Sequence, residues 1–537
     1  MTRKSFVKGA AILAAAGLLS KFIGALFRIP LTNIIGDTGM GYYQAAYPIY
    51  SFMLIISTAG IPTAISKLVA ERLAQGSHRE AHRVFQISVR LMMSFGIVTF
   101  LLLSLGSRTA ARLVGSENAA YSILAISPCL IIVTLMSAYR GYFQGMQIMT
   151  PTALSQIIEQ TGKLVLGLWF ASYWIRQSVE LGAAASVLGV TLSEGAALVL
   201  LLGIYQRKRS DIKREIKKEK KFKYGESDFT ILKRLARIAI PVTVGASIMP
   251  LVNVADLAIV VNRLKQIGFS QDEADGLYGL LTGSANPIIN FPPVLTVALA
   301  MSLVPAISES FAVKDYQGIS SKSSTGIRLS LLLGLPAAAG LAVLAHPISN
   351  LLYSRLPAEK IATTGDILII LSAGVIFLTL VQTLTAILQG VGKVAVPVRN
   401  LIIGALFKIA ITYLLVGNPK YHVRGAAVGT IVCYGVAAIL DFAAVIRYTR
   451  IKVPFMDFFV KPVIAVAVMT VTVYGAFSIG EPRLGSKLAT LAAVLAGIVI
   501  YSILLLLLGA VRRQDFELIR GGKKIGRLLE RLKLIRG

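Results

Sequence analysis

Apolar residues recur along the chain in long unbroken runs, and about fourteen of these reach the roughly 20 residues that a helix needs to cross a bilayer. They lie near residues 6–34, 41–71, 86–107, 119–143, 151–175, 181–205, 233–261, 277–308, 326–347, 362–388, 396–417, 424–446, 457–479 and 488–510. A membrane barrel is excluded, because its strands would alternate over about 10 residues. The second run is interrupted by Pro62 and the eighth by Pro287, Pro292 and Pro293. Such breaks are tolerated where neighbouring groups or water satisfy the freed backbone. Between the fourth and fifth runs, Arg140–Lys163 (RGYFQGMQIMTPTALSQIIEQTGK) passes through a turn marked by Gly141, Gln144 and Gly145. The next helix opens at Thr150-Pro151, where proline sacrifices no helical hydrogen bond.

The pattern occurs twice. Pro62-Thr-Ala-Ile-Ser closes the second run and Pro305-Ala-Ile-Ser closes the eighth. Gln144-Gly145 recurs as Gln389-Gly390, Lys163 as Lys408, and Gly182-Ala-Ala as Gly425-Ala-Ala, at offsets near 245 residues. Six helices per repeat, an even number, send both repeats into the membrane in the same orientation. The expected organisation is an all-α polytopic membrane protein. Its N-lobe is 1–205, a basic cytoplasmic linker 206–232, its C-lobe 233–450, two further helices 451–510, and a basic cytoplasmic tail 511–537.

Composition agrees. Hydrophobic residues make up 55% and charged residues 15% of the chain, with mean hydropathy +0.72. The net charge of +29 suggests a nucleic-acid partner until its placement is considered. It collects in Arg207–Lys223 and Arg512–Arg536, beside membrane helices. There it reads as a topology determinant that touches anionic lipid headgroups, not as a nucleic-acid surface. The positive-inside rule then puts both termini in the cytoplasm. Cys129 and Cys433 lie in apolar runs, and His78, His82, His346 and His422 are scattered near helix ends, so neither a disulfide nor a metal site is expected.

Membrane-depth polar residues are costly and usually face a protein interior or an aqueous cavity. Candidates for such a cavity are Lys21, Arg28, Glu159, Lys163, Asn253, Asp256, Asn290 and Lys408. Lys21 and Arg28 stand about two turns apart on one helix face. Glu159 and Lys163 are an i,i+4 pair, which serves either a cavity or an internal salt bridge. The first lobe carries a cationic surplus, which suits a phosphate-bearing substrate. Pro62, Gly141, Gln144, Gly145, Pro151, Pro292 and Pro305 are candidate turn or gating positions. No catalytic motif, phosphate-cradling glycine loop or nucleotide-binding motif is present, and the external connections are short. The expectation is a transporter without a cofactor, driven by H+, by Na+, by membrane potential or by the substrate's own gradient.

The stretches KGAAILAAAGLLSKFIGALFRIPL, IIGDTGMGYYQAAYPIY, GIPTAISKLVAE, RGYFQGMQIMTPTALSQIIEQTGK and LVPAISESFA resemble the multidrug/oligosaccharidyl-lipid/polysaccharide exporter superfamily. Within it they are similar to the branch of stage V sporulation protein B and the lipid II flippases. The resemblance implies two six-helix lobes forming a V, with alternating access to a central cavity. It also implies translocation of an undecaprenyl-pyrophosphate-linked cell-wall precursor to the outer leaflet. Family arginines on the first, second and eighth helices line a cationic cavity, and Lys21 and Arg28 are counterparts of the first-helix pair. The second helix has no arginine from Tyr42 to Val69, and Pro287 stands where the eighth-helix arginine would be. Three other readings stay open: an exporter of another polyprenyl-linked polysaccharide, a cation-coupled drug antiporter, and a scaffold recruiting wall-synthesis proteins.

Overall fold

The computed structural model describes residues 3–219, 226–451 and 456–510, and every regular element among them is helical. The basic tail 511–537 lies outside the described residues, as do residues 220–225 of the basic linker. The chain forms two compact units, Met1–Gly279 and Leu280–Gly537.

The first unit contains α1 (Arg3–Thr58), α2 (Ile61–Ala74), α3 (His78–Leu105), α4 (Ser107–Leu113), α5 (Ala120–Ile126), α6 (Cys129–Gly145), α7 (Thr150–Trp174), α8 (Val179–Lys218), α9 (Asp228–Gln266) and α10 (Gln271–Gly279). The second begins with a π-helical turn, Leu280–Ala285. It continues through α11 (Asn286–Ile289), α12 (Pro293–Ala312), α13 (Tyr316–Val343), α14 (Ala345–Leu352), α15 (Ala358–Gly390), α16 (Ala395–Val416), α17 (Val423–Thr449) and α18 (Lys461–Leu507). The lobe boundaries read from the repeat follow sequence register; the compact units follow packing. By packing, α9 and α10 go with the first unit.

Eleven described helices are long and apolar enough to cross a membrane. The fourteen runs expected from the sequence differ from these in identifiable places. α1 holds the first run and most of the second, divided at Gly36, whose φ of 74° breaks the helix. α18 holds the last two, divided at Gly485 with φ of 75°. Both conformations are readily open only to glycine. α7 is missing from the eleven because its apolar run is diluted by Gln156, Glu159, Gln160 and Lys163. The proline breaks fall where the sequence put them. α2 opens with Ile61-Pro62, and α11 and α12 are separated at Asn290–Pro292. The expected connection 262–276 is largely helical instead, since α9 continues to Gln266 and α10 begins at Gln271.

The repeat has a packing counterpart in each unit. In the first, a Cβ added to Gly145 would stand 2.7 Å from the Val69 Cβ and 2.9 Å from the Ser66 carbonyl oxygen. One added to Gly141 would stand 2.9 Å from the Pro62 carbonyl oxygen. In the second, a Cβ on Gly390 would stand 2.8 Å from the Ile307 Cβ, and the Ser308 hydroxyl donates to the Gly390 carbonyl at 3.1 Å. The Gln-Gly pair thus seats one helix on the helix carrying proline and Ala-Ile-Ser twice over. Around these seats lie the two main cores. One holds Ile65, Leu68, Phe85, Tyr142 and Leu235; the other holds Leu303, Ile307, Ile327, Leu384 and Ile387.

Candidate functional site

The polar positions of α7 follow helical spacing, so Ser155, Glu159 and Lys163 share one face. α6 returns antiparallel across the Met146–Met149 turn and brings Arg140 to that face. Its Nε donates to the Ser155 hydroxyl at 2.9 Å, and its Nη2 donates to Glu159 Oε2 at 3.0 Å. The two side chains are 16% and 19% exposed, so the pair is largely withdrawn from solvent. The second Glu159 oxygen accepts from the Gln160 amide at 2.9 Å. Glu194 of α8 is 7% exposed and faces Glu159, Arg140 and Lys163. Two carboxyl groups therefore meet two cations.

The i,i+4 salt bridge that spacing allows between Glu159 and Lys163 is not the pairing found. Arg140 occupies Glu159, and Lys163 turns to aromatic partners on α1. Its ammonium donates to the Tyr47 hydroxyl at 3.1 Å and lies 5.0 Å from the ring centroids of both Phe27 and Tyr47. The Tyr43 hydroxyl donates to Tyr47 at 2.8 Å. Tyr43, Tyr47 and Tyr50 form this wall because their spacing places them on one helix face, with Tyr43–Tyr47 ring centroids 4.8 Å apart. A cation over desolvated aromatic faces is held by their quadrupoles, at about 0.5–2 kcal/mol per contact. The ammonium nevertheless keeps donors for a ligand, since only one is engaged by Tyr47.

Arg28 is half-buried on α1 and acts electrostatically on Tyr47. The first part of α1 reaches α7 through Ser20, whose hydroxyl donates to the Gln156 carbonyl at 3.4 Å. It also does so through Gly24, where an added Cβ would stand 3.0 Å from Gln160 Oε1. Lys21, one residue from Ser20, is exposed. The structure thus gathers Arg28, Glu159 and Lys163 around α1 and α7.

The remaining expected residues lie elsewhere. Asn253 is exposed and Asp256 buried on α9. In the second unit, the Asn290 amide turns back to the Asn286 carbonyl at 2.7 Å, satisfying backbone at the helix break. Lys408 is half-buried on α16, alongside Gly429 of α17. Among the turn residues, Pro151 opens α7, Gln144 lies in the last turn of α6, Pro292 caps α12, and Pro305 lies inside it.

Sequence reasoning left Arg140, Tyr43, Tyr47 and Glu194 outside the site. The signals were present: an arginine in an apolar run just before a turn, and tyrosines at helical spacing. A buried pair also went unforeseen in the second unit, where the Asn400 amide donates to Asp441 Oδ1 at 2.8 Å.

The helical architecture and the buried ionic cluster define a multi-pass membrane transporter fold. Among solved structures, an inward-facing multidrug-resistance MATE transporter matches with TM-score 0.68 and 16% identity, over 80% of this chain and 94% of that one. The lipid II flippase MurJ in an inward closed conformation matches with TM-score 0.66 and 14% identity, over 92% of this chain and 98% of that one. The polysaccharide biosynthesis protein family model matches residues 6–311, and the MatE model matches residues 282–414. The chain belongs to the polysaccharide biosynthesis protein family. Its relatives include stage V sporulation protein B of Bacillus subtilis (strain 168), 29% identical over 99% of this chain and 100% of that protein. Another is the lipid II flippase MurJ of the same organism, 26% identical over 82% of each chain.

Proposed function

We propose that this protein is a flippase that carries an undecaprenyl-pyrophosphate-linked cell-wall precursor, lipid II or a closely related lipid-linked oligosaccharide, across the cytoplasmic membrane by alternating access. The observation that carries this reading is the half-buried Lys163, held by Tyr47 and Phe27 with Arg28 nearby. A membrane-depth cation stabilised by aromatic rings, faced by Glu194 but bonded to no carboxylate among the described residues, suits the pyrophosphate of a lipid-linked sugar. The similarity to a lipid II flippase over 82% of the chain supports the same substrate class.

The pairing of Arg140 with Glu159 weighs against a drug antiporter, for which an open carboxylate cavity would be needed. The protein acts by transport and not by bond-making chemistry. The basic continuation of α8 to Lys218 belongs on the cytoplasmic side by the positive-inside rule, which places both termini there. Coupling runs through a cation gradient or the membrane potential. Leaflet-resolved translocation of lipid II by the purified protein in liposomes, with and without a membrane potential, tests both proposals. Flipping without any dependence on a gradient would retain the substrate and remove the coupling.

A further inference from the structure

α9 packs across the break between α1 and α2 so closely that a Cβ on Gly60 would collide with the Ala239 carbonyl. Beside this crossing is an apolar groove of about 430 Å³, lined by α1 and α2 at Ile56 and Ile61, by α3 at Leu91 and Phe95, and by α9 from Leu232 to Val244. That volume is typical of ligand sites, roughly 300–1,000 Å³. Thr243 is the one polar residue in the lining, and its hydroxyl already accepts the Gly60 N–H at 3.2 Å. The lining runs about 18 Å along α9 at 1.5 Å per residue. One leaflet of hydrocarbon is about 15 Å deep.

One end of the groove is cationic. Arg90, adjacent to the lining residue Leu91, is 69% exposed, with its guanidinium 3.6 Å from Asp228 at the start of α9. Asp228 already accepts from Arg83 at 3.0 Å, so Arg90 is only weakly engaged. Lys233 and Arg237 stand one turn apart on α9, both exposed. Neither has an ion-pair partner among the described residues. Nearby carboxylates are committed elsewhere: Glu226 to Arg72 at 2.7 Å and Glu71 to Arg234 at 2.8 Å.

We infer that this groove is a binding site for an anionic phospholipid. One acyl chain lies along α9, and the headgroup phosphate is held by Arg90 and Lys233 near the start of α9, with Arg237 one turn further in. Charge complementarity selects the headgroup, and a leaflet-length groove selects an acyl chain over the much longer polyprenyl chain of the transport substrate. The site stands independently of the proposed function.

The test is native mass spectrometry of the purified full chain titrated with phosphatidylglycerol or with phosphatidylcholine of the same acyl chains. Phosphatidylglycerol is expected to be retained at about tenfold lower concentration. The double substitution Arg90→Ala with Lys233→Ala should bring the two lipids level. Ala236→Trp, which fills the groove without changing charge, should remove the tightest phosphatidylglycerol site, with folding checked by circular dichroism. Equal retention of the two lipids by the wild type would overturn the assignment, as would a preference untouched by either variant. Undecaprenyl phosphate displacing phosphatidylglycerol at equal concentration would also overturn it, by giving the groove to the substrate.

Discussion

Arg140 and Glu159 close a 3.0 Å ion pair between α6 and α7, and that pairing leaves Lys163, one turn further along α7, to the rings of Tyr47 and Phe27. The division separates two tasks. One cation and one carboxylate fasten a helical hairpin; the other cation lies over the aromatic rings of α1, with Glu194 facing it and not bonded to it.

Substituting Arg140 by Ala should strand the Glu159 carboxylate in a mostly buried place and free the Ser155 hydroxyl. Hydrogen bonds to charged groups are worth about 1.5–3 kcal/mol, so a clear fall in thermal midpoint is expected in detergent. Adding Glu159→Ala should recover part of the loss. An Arg140→Ala protein that melts with the wild type would show that the pair does not fasten the hairpin.

Lys163 offers the contrasting case. Lys163→Met keeps the length of the side chain inside the aromatic wall and removes only its charge. Folding should persist while affinity for lipid II falls by tenfold or more, whereas Lys163→Arg should retain part of it. Binding measured with a fluorescent lipid II analogue decides this, and unchanged affinity in the Met variant would remove Lys163 from the site.

The glycine seats should be equivalent in the two units. Gly145→Leu and Gly390→Leu each drive a side chain into helices that stand within 2.9 Å of the added Cβ. Overpacking of this kind costs about 1–3 kcal/mol. Both variants should express less folded protein, visible as lower monodisperse yield in size-exclusion chromatography. If only one suffers, the two seats are not structural equivalents.

Asp275, in α10, is fully buried. Burial pushes its carboxyl up to about 6, against the Gln271 amide, which donates to it at 2.6 Å and pulls it down. The folded protein therefore holds this proton more tightly than the unfolded chain. The resulting stabilisation is complete below about pH 4 and disappears as pH rises through about 6. Asp275→Asn removes the penalty of a buried charge. It should raise the thermal midpoint relative to wild type at pH 8, with little difference at pH 4.5. A difference that is the same at both values would show that Asp275 does not titrate in this range.

Much of the fold could be read from residue order because it depends on local chemistry. Pro62, Pro151 and Pro292 mark helix starts or breaks whatever surrounds them. The recurrence of Gln-Gly and of Ala-Ile-Ser after a proline announces that a packing device is used twice. What escaped depends on register between helices. Spacing along α7 offers Lys163 as the partner of Glu159, and only the rise of α6 across a turn puts Arg140 nearer. The packing of Asn262–Gly276, the polar stretch between the seventh and eighth apolar runs, escapes local reading for a similar reason. Its acidic residues pack under the glycines that follow Gly36: a Cβ on Gly41 would collide with the Asp275 carbonyl, and the Tyr42 hydroxyl donates to Asp272 at 2.6 Å. These contacts join positions some 230 residues apart in sequence, beyond the reach of any local pattern.

The central claim is transport of a lipid-linked glycan through a cationic cluster built by α1 and α7. Its most direct test is the rate at which lipid II labelled in one leaflet of a liposome reaches the other, for wild type and for Lys163→Met side by side. The account expects protein-dependent flipping by the wild type and at least tenfold slower flipping by the folded variant. Equal rates in the two proteins would contradict the cationic-cluster mechanism, and no flipping by folded wild type under any gradient would contradict the substrate.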